Sequence, residues 1–138
     1  MSLESRYRTA GWAAFKMKQN LPKLDAHYKL WLSLKNGEGI LGDGKWRLLN
    51  AINEFGSIAQ AAVKLGISYR KAWGDLKKVE ELLGIMVIER SRGGISGGSS
   101  VLTEQGISLI KAYEKFHNDF ESSFKQSFDK FKKEISSI

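Results

Sequence analysis

The feature that most constrains this fold is a very short connection, Gly66-Ile67, between two predicted helices. The first helix starts at Ser57, which is followed three residues later by Gln60 in the arrangement of a capping box. Ser68 is a good N-cap for the second helix. Two helices joined by so few residues have to meet at a corner, which is the geometry of a helix-turn-helix.

Apolar residues in both helices follow helical spacing. The first helix is expected to bury Ile58, Ala61, Ala62 and Leu65. In the second helix, one stripe at i, i+4, i+7 and i+11 is formed by Ala72, Leu76, Val79 and Leu83. Gly66 and Gly84 follow the two helices directly, in the position that glycine favours at a helix end. The pair therefore has one predicted core-facing side on each helix.

The residues before this pair predict a strand and a further helix. Residues 28–35 carry apolar side chains at every second position, a strand pattern that ends at the turn signal Asn36-Gly37. Asp43 is the expected N-cap of a helix that runs to Phe55 and is closed by Gly56. The residues near one face of that helix are Trp46, Leu49, Ile52 and Phe55.

The residues after the pair predict a β-hairpin and a long helix. Residues 85–91 and 101–103 read as its two strands, and Thr103 as the cap of a helix from Glu104 toward Ser136. Three helices followed by a hairpin is the order of a winged helix-turn-helix, a mainly α fold with a small β-hairpin wing. The predicted parts are an N-terminal extension (1–22), the winged helix-turn-helix DNA-binding domain (23–102) and a long C-terminal dimerisation helix (103–138).

Composition narrows the class of protein. The chain has 138 residues, about one domain, and 42% of them are hydrophobic, which favours a folded protein over a disordered one. The absence of cysteine excludes disulfides and thiolate metal sites. The sequence contains neither a run of 18 apolar residues nor the apolar region of a signal peptide. We therefore expect no membrane association and a cytoplasmic location.

The charge balance is basic, with 22 Lys and Arg against 15 Asp and Glu and a net charge of +7. Such a surplus favours polyanionic partners, because neutralising phosphates releases their counterions. A soluble basic protein without such a partner has the same composition. The positions of the charges along the chain have to distinguish a polyanion-binding protein from a basic protein without such a partner.

Two nucleotide-binding patterns overlap in residues 37–45. Gly37, Gly39 and Gly42 match a dinucleotide fingerprint, and Gly39 to Lys45 match a phosphate loop as far as the lysine. Trp46 stands where the phosphate loop needs a hydroxyl for Mg²⁺, and the helix that follows runs into another helix, not into a second strand. Glycines in such a turn more often serve the backbone conformation, so we expect no nucleotide site.

Residues suited to catalysis are sparse. His27 and His117 lie in different segments without a matching carboxylate spacing. Ser57, Ser68 and Thr103 are already explained as helix caps. The sequence therefore predicts no enzyme, no catalytic residue, no bound metal and no cofactor.

The second helix of the pair has a basic first turn. If this helix enters a major groove, Arg70 is the best base reader, because its guanidinium can pair with guanine O6 and N7. Lys71, Lys77 and Lys78 suit phosphates, and Ser57 and Gln60 can touch the DNA backbone from the preceding helix. The DNA-binding residues predicted in the pair are Ser57, Gln60, Ser68, Tyr69, Arg70, Lys71, Trp73 and Lys77.

Several of these residues have a structural alternative. Trp73 neighbours Ala72 on the helix and could belong to the core. Lys77 and Lys78 are followed by Glu80 and Glu81, so they could form an ordinary solvated face. Positive charge at Arg70 opposes the helix dipole, so helix stability does not explain that residue.

The predicted hairpin loop is rich in glycine and preceded by arginine. Bare backbone in such a loop can approach a phosphate chain or a minor groove closely. An ordinary long hairpin loop remains the alternative. The residues predicted to contact DNA there are Arg90, Arg92, Gly93, Gly94, Ser96, Gly97 and Gly98.

Two stretches carry a family resemblance. Residues 57–84, with "GISYRKAW", and residues 87–110, with the "RGG…GG…VLTEQG" wing, resemble the N-terminal DNA-binding domain of ModE-type molybdenum-dependent transcriptional regulators, and more distantly the LysR-type winged helix. The resemblance covers about residues 26–120. It implies a recognition helix, a glycine-rich wing and a dimer.

The resemblance stops short of the ModE effector region. Full-length members carry C-terminal molybdate-binding β-domains, and only one helical segment follows the wing in this sequence. We expect a stand-alone DNA-binding domain to which molybdate does not bind.

Large apolar residues recur along the last predicted helix at steps of three and four. One helix beyond a small domain cannot bury them alone, so a partner helix in a homodimer is predicted. Packing against the chain's own first strand and N-terminal extension is the alternative. The predicted dimer-interface residues are Tyr113, Phe116, Phe120, Phe124, Phe128, Phe131 and Ile135.

Taken together, these patterns predict a dimer that binds specific double-stranded DNA and regulates transcription. Two recognition helices in a dimer can reach successive turns of a palindromic site. The alternative from another class is a winged-helix protein-interaction module that does not bind DNA.

Overall fold

A computed structural model of the chain describes residues 22–90 and 99–138. Residues Tyr28–Ser123 form one compact unit, and Phe124–Ile138 form a second with the segment that ends at His27. The elements in chain order are β1 (Trp31–Ser33), β2 (Gly39–Gly42), α1 (Asp43–Phe55), α2 (Ile58–Leu65), α3 (Tyr69–Leu83), β3 (Ile88–Arg90), β4 (Ser100–Leu102) and α4 (Glu104–Ser136).

The predicted winged helix-turn-helix is confirmed. Helices α1, α2 and α3 pack on one another, and the antiparallel β3–β4 hairpin follows them as the wing, ahead of the long α4. The core of this unit is apolar and is centred on side chains with at most 2% of their surface exposed: Leu41, Leu48, Leu49, Ile52, Ala61, Ala62, Ala72, Leu76, Val79, Val87, Ile88 and Tyr113.

The tight corner forms through the caps that the sequence predicts. The Ser57 hydroxyl accepts a hydrogen bond from the backbone N–H of Gln60 at 3.2 Å, and the Ser68 hydroxyl accepts one from the N–H of Lys71 at 3.0 Å. Gly66 lies between the helices with φ of 69°, a left-handed conformation that glycine adopts without strain. These contacts fix where α3 begins and which residues form its first turn.

The start of α1 differs from the prediction. Gly42, not Asp43, is the N-cap, and it provides no side-chain hydrogen bond. Asp43 is the first helical residue, and its carboxylate accepts a hydrogen bond from the Tyr113 hydroxyl at 2.8 Å. A buried phenol needs such a partner, so this carboxylate is used for the packing of α4 and not as a helix cap.

The ends of two helical stripes are also corrected. Leu83, expected inward, has 37% of its surface exposed because it is the last residue of α3. Phe55 ends α1 and has the same exposure. Both residues lie at the end of a helix, where the helix extends beyond the core.

The first hairpin differs from the single predicted strand. The strand expected over residues 28–35 is reduced to the three residues of β1, all exposed, which pair with β2, a strand that the sequence analysis does not predict. Leu32 faces Leu41 across the ladder, and the register shifts after Leu32. The glycine-rich stretch thus forms an inner strand, while β1 is the exposed strand of the pair.

The wing is attached to the domain by hydrogen bonds at its base. The Glu80 carboxylate accepts from the N–H of Val87 at 2.9 Å, and Ser100 donates its N–H to the Gly56 carbonyl at 2.9 Å. Thr103 caps α4, as predicted, by accepting from the N–H of Gly106, also at 2.9 Å. The direction in which the wing leaves the core is therefore set by polar contacts at its base.

Candidate DNA interface

Helix α3 has one buried and one exposed side. Ala72, Leu76 and Val79 are at most 1% exposed and hold the helix in the core. Arg70 and Gly74 lie on the exposed side, and Tyr69 has 53% of its surface exposed. Because Ser68 caps the helix outside the core, the first turn of α3 projects from the domain, as a groove-reading turn has to do.

Arg70 is the exposed cation that is best placed to read a base. Within residues 22–90 and 99–138 its guanidinium has no ion pair or hydrogen bond. A guanidinium that is not already paired can offer both arms of its fork to a guanine edge. The predicted base reader is therefore in a position to make that contact.

The neighbouring lysines are paired with acidic residues that the sequence analysis does not assign. Lys71 Nζ lies 3.2 Å from Asp75 Oδ2, one turn further along α3. Lys78 Nζ lies 3.8 Å from Glu38 Oε1, in the turn between β1 and β2. The i, i+4 spacing of the first pair is visible in the sequence, whereas the second pair depends on the unpredicted hairpin.

Trp73 belongs in part to the core, which is one of its two predicted alternatives. It is partly buried and packs against the core cluster, and Lys77 Nζ lies 5.0 Å from the centre of its ring. The ring therefore supports the helix on one side and positions a cation on the other. Lys77 is held next to the exposed side of α3, where a phosphate could approach.

The two residues at the start of α2 that are predicted to contact DNA differ in how available their side chains are. The Ser57 hydroxyl is occupied as a helix cap, and Ser68 has the same role in α3. Gln60 is exposed. Of the two residues predicted to contact the DNA backbone from α2, Gln60 has an exposed side chain for such a contact. At Ser57, only the start of the helix is available.

The wing residues can be placed only at its base. Arg90 ends β3 and pairs with Ser100 across the ladder. The other predicted contacts of the wing, Arg92, Gly93, Gly94, Ser96, Gly97 and Gly98, lie outside the described residues.

Tyr113 is corrected from a dimer contact to a core residue. Only 2% of it is exposed, and its hydroxyl donates to Asp43. Burial, followed by that hydrogen bond, raises the pKa of Tyr113 well above its usual range. His117, one turn further along α4, stacks on Trp46 with ring centres 6.3 Å apart. The sequence does not reveal this aromatic cluster, because its helical spacing is the same as that of a dimer interface.

The remaining aromatic residues of α4 are less buried. Phe116 and Phe120, in the first unit, are 49% and 42% exposed, and Phe120 meets Tyr28 edge-on at 5.0 Å. In the second unit, Phe131 is 51% exposed, while Phe124, Phe128 and Ile135 are partly buried. Ile135 lines a cavity of about 370 Å³ there with Pro22 and Leu24. Part of the predicted interface is thus close to the chain's own N-terminal segment.

The described residues also lack a metal-binding cluster. In the two described segments, no group of three or more His, Cys, Asp or Glu side chains is arranged to hold an ion. Among the same residues, no helix is both long and apolar enough to cross a membrane.

Comparison with known protein families agrees with this geometry. Residues 44–107 match the model of the bacterial regulatory helix-turn-helix proteins of the lysR family. This part of the chain therefore resembles a lysR-family helix-turn-helix domain. The match includes the α2–α3 corner, the wing and the start of α4, so it covers the elements that form the candidate interface.

The predicted ModE-type resemblance is confirmed by curated relatives that match the same part of the chain. The DNA-binding transcriptional dual regulator ModE of Escherichia coli (strain K12) is 37% identical over 87 residues, which are 62% of this chain and 33% of that protein. The molybdenum-pterin-binding protein MopB of Rhodobacter capsulatus is 41% identical over 73 residues, 53% of this chain and 27% of that protein. The chain thus spans about a third of the length of these relatives.

Solved structures similar to this chain include protein–DNA complexes. The CbnR_DBD–DNA complex aligns with a TM-score of 0.49 at 24% identity, over 60% of this chain and 90% of that chain. A cysteine variant of Lactococcus lactis ZitR in complex with DNA aligns with a TM-score of 0.47 at 20% identity, over 91% of this chain and 82% of that chain.

Proposed function

We propose that this chain binds specific double-stranded DNA as a homodimer and regulates transcription from that site in the cytoplasm. The observation that supports this most strongly is the first turn of α3, where Tyr69 and Arg70 are exposed at the corner of a lysR-family helix-turn-helix. A turn that served only packing would gain nothing from an exposed guanidinium at this position, where it opposes the helix dipole.

The proposed contacts divide by chemistry. Arg70 reads base edges in the major groove, with Tyr69 and Trp73 beside it. Lys77 and Lys71 contact phosphates, Gln60 and the start of α2 contact the backbone, and the wing reaches the adjacent groove. Lys71 has to exchange its ion pair with Asp75 for a phosphate, so its contribution is smaller than that of an unpaired lysine.

The homodimer is proposed to form along α4. Three phenylalanines of that helix, Phe116, Phe120 and Phe131, each have more than 40% of their surface exposed. Large apolar side chains at helical spacing are commonly buried by a partner helix. The proposed interface comprises Phe116, Phe120, Phe124, Phe128, Phe131 and Ile135, without Tyr113.

Fluorescence anisotropy with the DNA upstream of its own gene tests the main proposal. The affinity should fall steeply between about 50 and 200 mM salt, roughly a thousandfold for about six phosphate contacts, because counterions are released on binding. A specific site should also bind more tightly than bulk DNA of the same length. Absence of binding to either DNA at low salt would instead favour the protein-interaction module.

Two alanine variants separate base readout from phosphate contact. Arg70→Ala should cost about 1–3 kcal/mol at the specific site and relax base preference, while Lys77→Ala should weaken binding to all sequences alike. Arg70→Lys keeps the charge without the fork and serves as the matched control. Uniform loss of affinity in both alanine variants would contradict the role given to Arg70.

The oligomeric state tests the α4 interface. Phe116→Asp with Phe131→Asp should halve the mass seen by light scattering, since both side chains are about half exposed within one chain and a buried carboxylate would break a dimer. Val63→Asp is the control, because Val63 is an 82% exposed apolar residue of α2. An unchanged dimer mass in the double variant would rule out this interface.

A further inference from the structure

A large cleft opens beside α3, on the side where Lys71 and Asp75 lie. It has a volume of about 490 Å³ and is bordered by the β1–β2 hairpin, the start of α1 and the start of α3. Its charged lining residues are Lys29, Lys45, Arg47, Lys71, Asp43 and Asp75. Four cations therefore face two carboxylates.

Both carboxylates of this basic cleft are already engaged. Asp75 pairs with Lys71 at 3.2 Å, and Asp43 accepts the Tyr113 hydroxyl at 2.8 Å. Arg47 is exposed, and within the two described segments it has no hydrogen bond or ion pair. The positive charge of the cleft is thus only partly neutralised by the protein itself.

Lys45 is the most enclosed cation of the cleft. Its Nζ donates to the Ile40 carbonyl at 3.2 Å, a neutral partner. Burial lowers the pKa of Lys45, and the nearby Asp75 opposes that shift only in part. An anion brought close to Lys45 would stabilise its charged form.

Three glycines form part of the cleft wall. Gly39, Gly42 and Gly44 line it, and a Cβ placed on Gly39 or Gly44 would meet nothing within 4 Å. The N-terminal end of α1 also faces this space without a side-chain cap. The stretch that resembles a phosphate-binding loop in the sequence is therefore the wall of this basic cleft.

We infer that the basic cleft is a second contact with the DNA backbone, in which Lys29, Lys45 and Arg47 neutralise phosphates next to those reached by α3. The inference rests on the proposed function. Lys71 connects the two surfaces, because it belongs to the first turn of α3 and also lines the cleft. A strand of DNA held at that turn has its next phosphates available to the neighbouring cations.

Helix α3 is connected to both hairpins. The wing follows α3 in the chain, and the β1–β2 hairpin contacts α3 through the Lys78–Glu38 ion pair. Since phosphates carry no base sequence, the cleft adds affinity and salt dependence without adding specificity.

The test compares two triple variants of the full chain. Lys29→Gln, Lys45→Gln and Arg47→Gln remove the cations of the cleft, while Lys111→Gln, Lys115→Gln and Lys130→Gln remove the same charge from exposed positions of α4. The slope of log affinity against log salt should become shallower by about 2–3 in the cleft variant, at about 0.9 for each phosphate contact. The control variant should change it by less than about 1, and the ratio of specific to bulk affinity should stay the same in both.

Equal slopes in the two triple variants, with wild-type DNA binding intact, would overturn the inference and leave the proposed function standing. Failure of the wild type to bind DNA would count against the proposed function itself. A rise in melting temperature with inorganic phosphate or ATP, lost only in the cleft variant, would assign the cleft to a free anion instead. If the triple variant does not fold, the exposed Arg47→Gln alone should still change the slope by about 0.9.

Discussion

The two hairpins of this domain have similar ladders and opposite environments. Each pairs three residues on one strand with three on the other, antiparallel. In the wing, Ile88 and Leu102 are nearly inaccessible, whereas all of β1 is exposed and only β2 enters the core. Ladder pairing alone therefore does not determine how strongly a hairpin is held. The side chains at its base and under its inner strand do.

This difference matters for the proposed DNA binding because the hairpins lie at two ends of the helix-turn-helix in the chain. The wing leaves the core through Glu80, Thr103 and Gly106, so its base is fixed. The first hairpin is held mainly through β2 and presents the basic cleft. A rigid base suits a loop that has to reach a groove, and an exposed edge suits contacts with phosphates.

The largest predicted effect separates the strands of the first hairpin. Leu41→Ala should destabilise the domain by about 2–5 kcal/mol, because Leu41 is 2% exposed and its removal leaves a cavity. Leu32→Ala, at the paired position on β1, should cost less than about 1 kcal/mol, since 37% of Leu32 is already exposed. Urea unfolding measures both. Similar costs would show that β1 and β2 are buried alike in solution.

Local sequence signals predict the helix-turn-helix corner correctly. The differences between the predicted and the observed elements come from long-range packing. Ser57, Gly66 and Ser68 are assigned correctly because a cap or a left-handed turn depends on a few adjacent residues. Strand β2 escapes prediction because its glycines favour a turn, and its pairing depends on a partner six to eleven residues earlier. Family resemblance then supports the proposed function, which the charge pattern leaves open.

The candidate DNA interface is likewise predicted where it depends on local sequence, and the dimer interface is mispredicted where it depends on long-range packing. Exposure of Tyr69 and Arg70 follows from the buried stripe on the other side of α3. Tyr113 is wrongly predicted in the dimer interface because helical spacing does not show which partner covers a residue. Its contact with Asp43 joins positions 70 residues apart, which no local pattern reveals.

The wing base should be sensitive to any side chain at Gly106. A Cβ there would clash with the Val87 carbonyl oxygen, so Gly106→Ala has to push the start of α4 away from the backbone just before β3. We expect a loss of about 1–3 kcal/mol and weaker DNA binding. Ser108→Ala, an exposed position two residues later, is the control. Thermal unfolding followed by anisotropy with DNA measures both effects, and wild-type values for Gly106→Ala would mean that the contact at the wing base is loose.

Glu80 should stabilise the wing through hydrogen bonding and not through charge. Its Oε2 accepts from Val87 and Ile88 N–H groups, while the residue is 6% exposed. Glu80→Ala should cost about 1–3 kcal/mol because it leaves buried donors without a partner, and Glu80→Gln should cost about 1 kcal/mol because an amide oxygen still accepts. Hydrogen exchange of the Val87 amide measures the loss of this hydrogen bond directly. If both variants exchange equally fast, the carboxylate charge is what matters.

The smallest effect is expected at the turn of the first hairpin. Gly37 has φ of 92°, and a Cβ there would meet nothing within 4 Å, so only backbone strain opposes a side chain. Gly37→Ala should therefore cost about 1 kcal/mol, and Gly37→Asn less, since asparagine tolerates positive φ.

Gly74→Ala is the matched control: Gly74 lies inside α3 with the same free space and no positive φ, and alanine there should stabilise the helix by up to about 1 kcal/mol. Opposite shifts of the urea midpoint in the two alanine variants are the expected result. Shifts of the same sign would mean that the β1–β2 turn adopts another conformation in solution, and the salt dependence of DNA binding by Gly37→Ala would then show whether the basic cleft needs that turn.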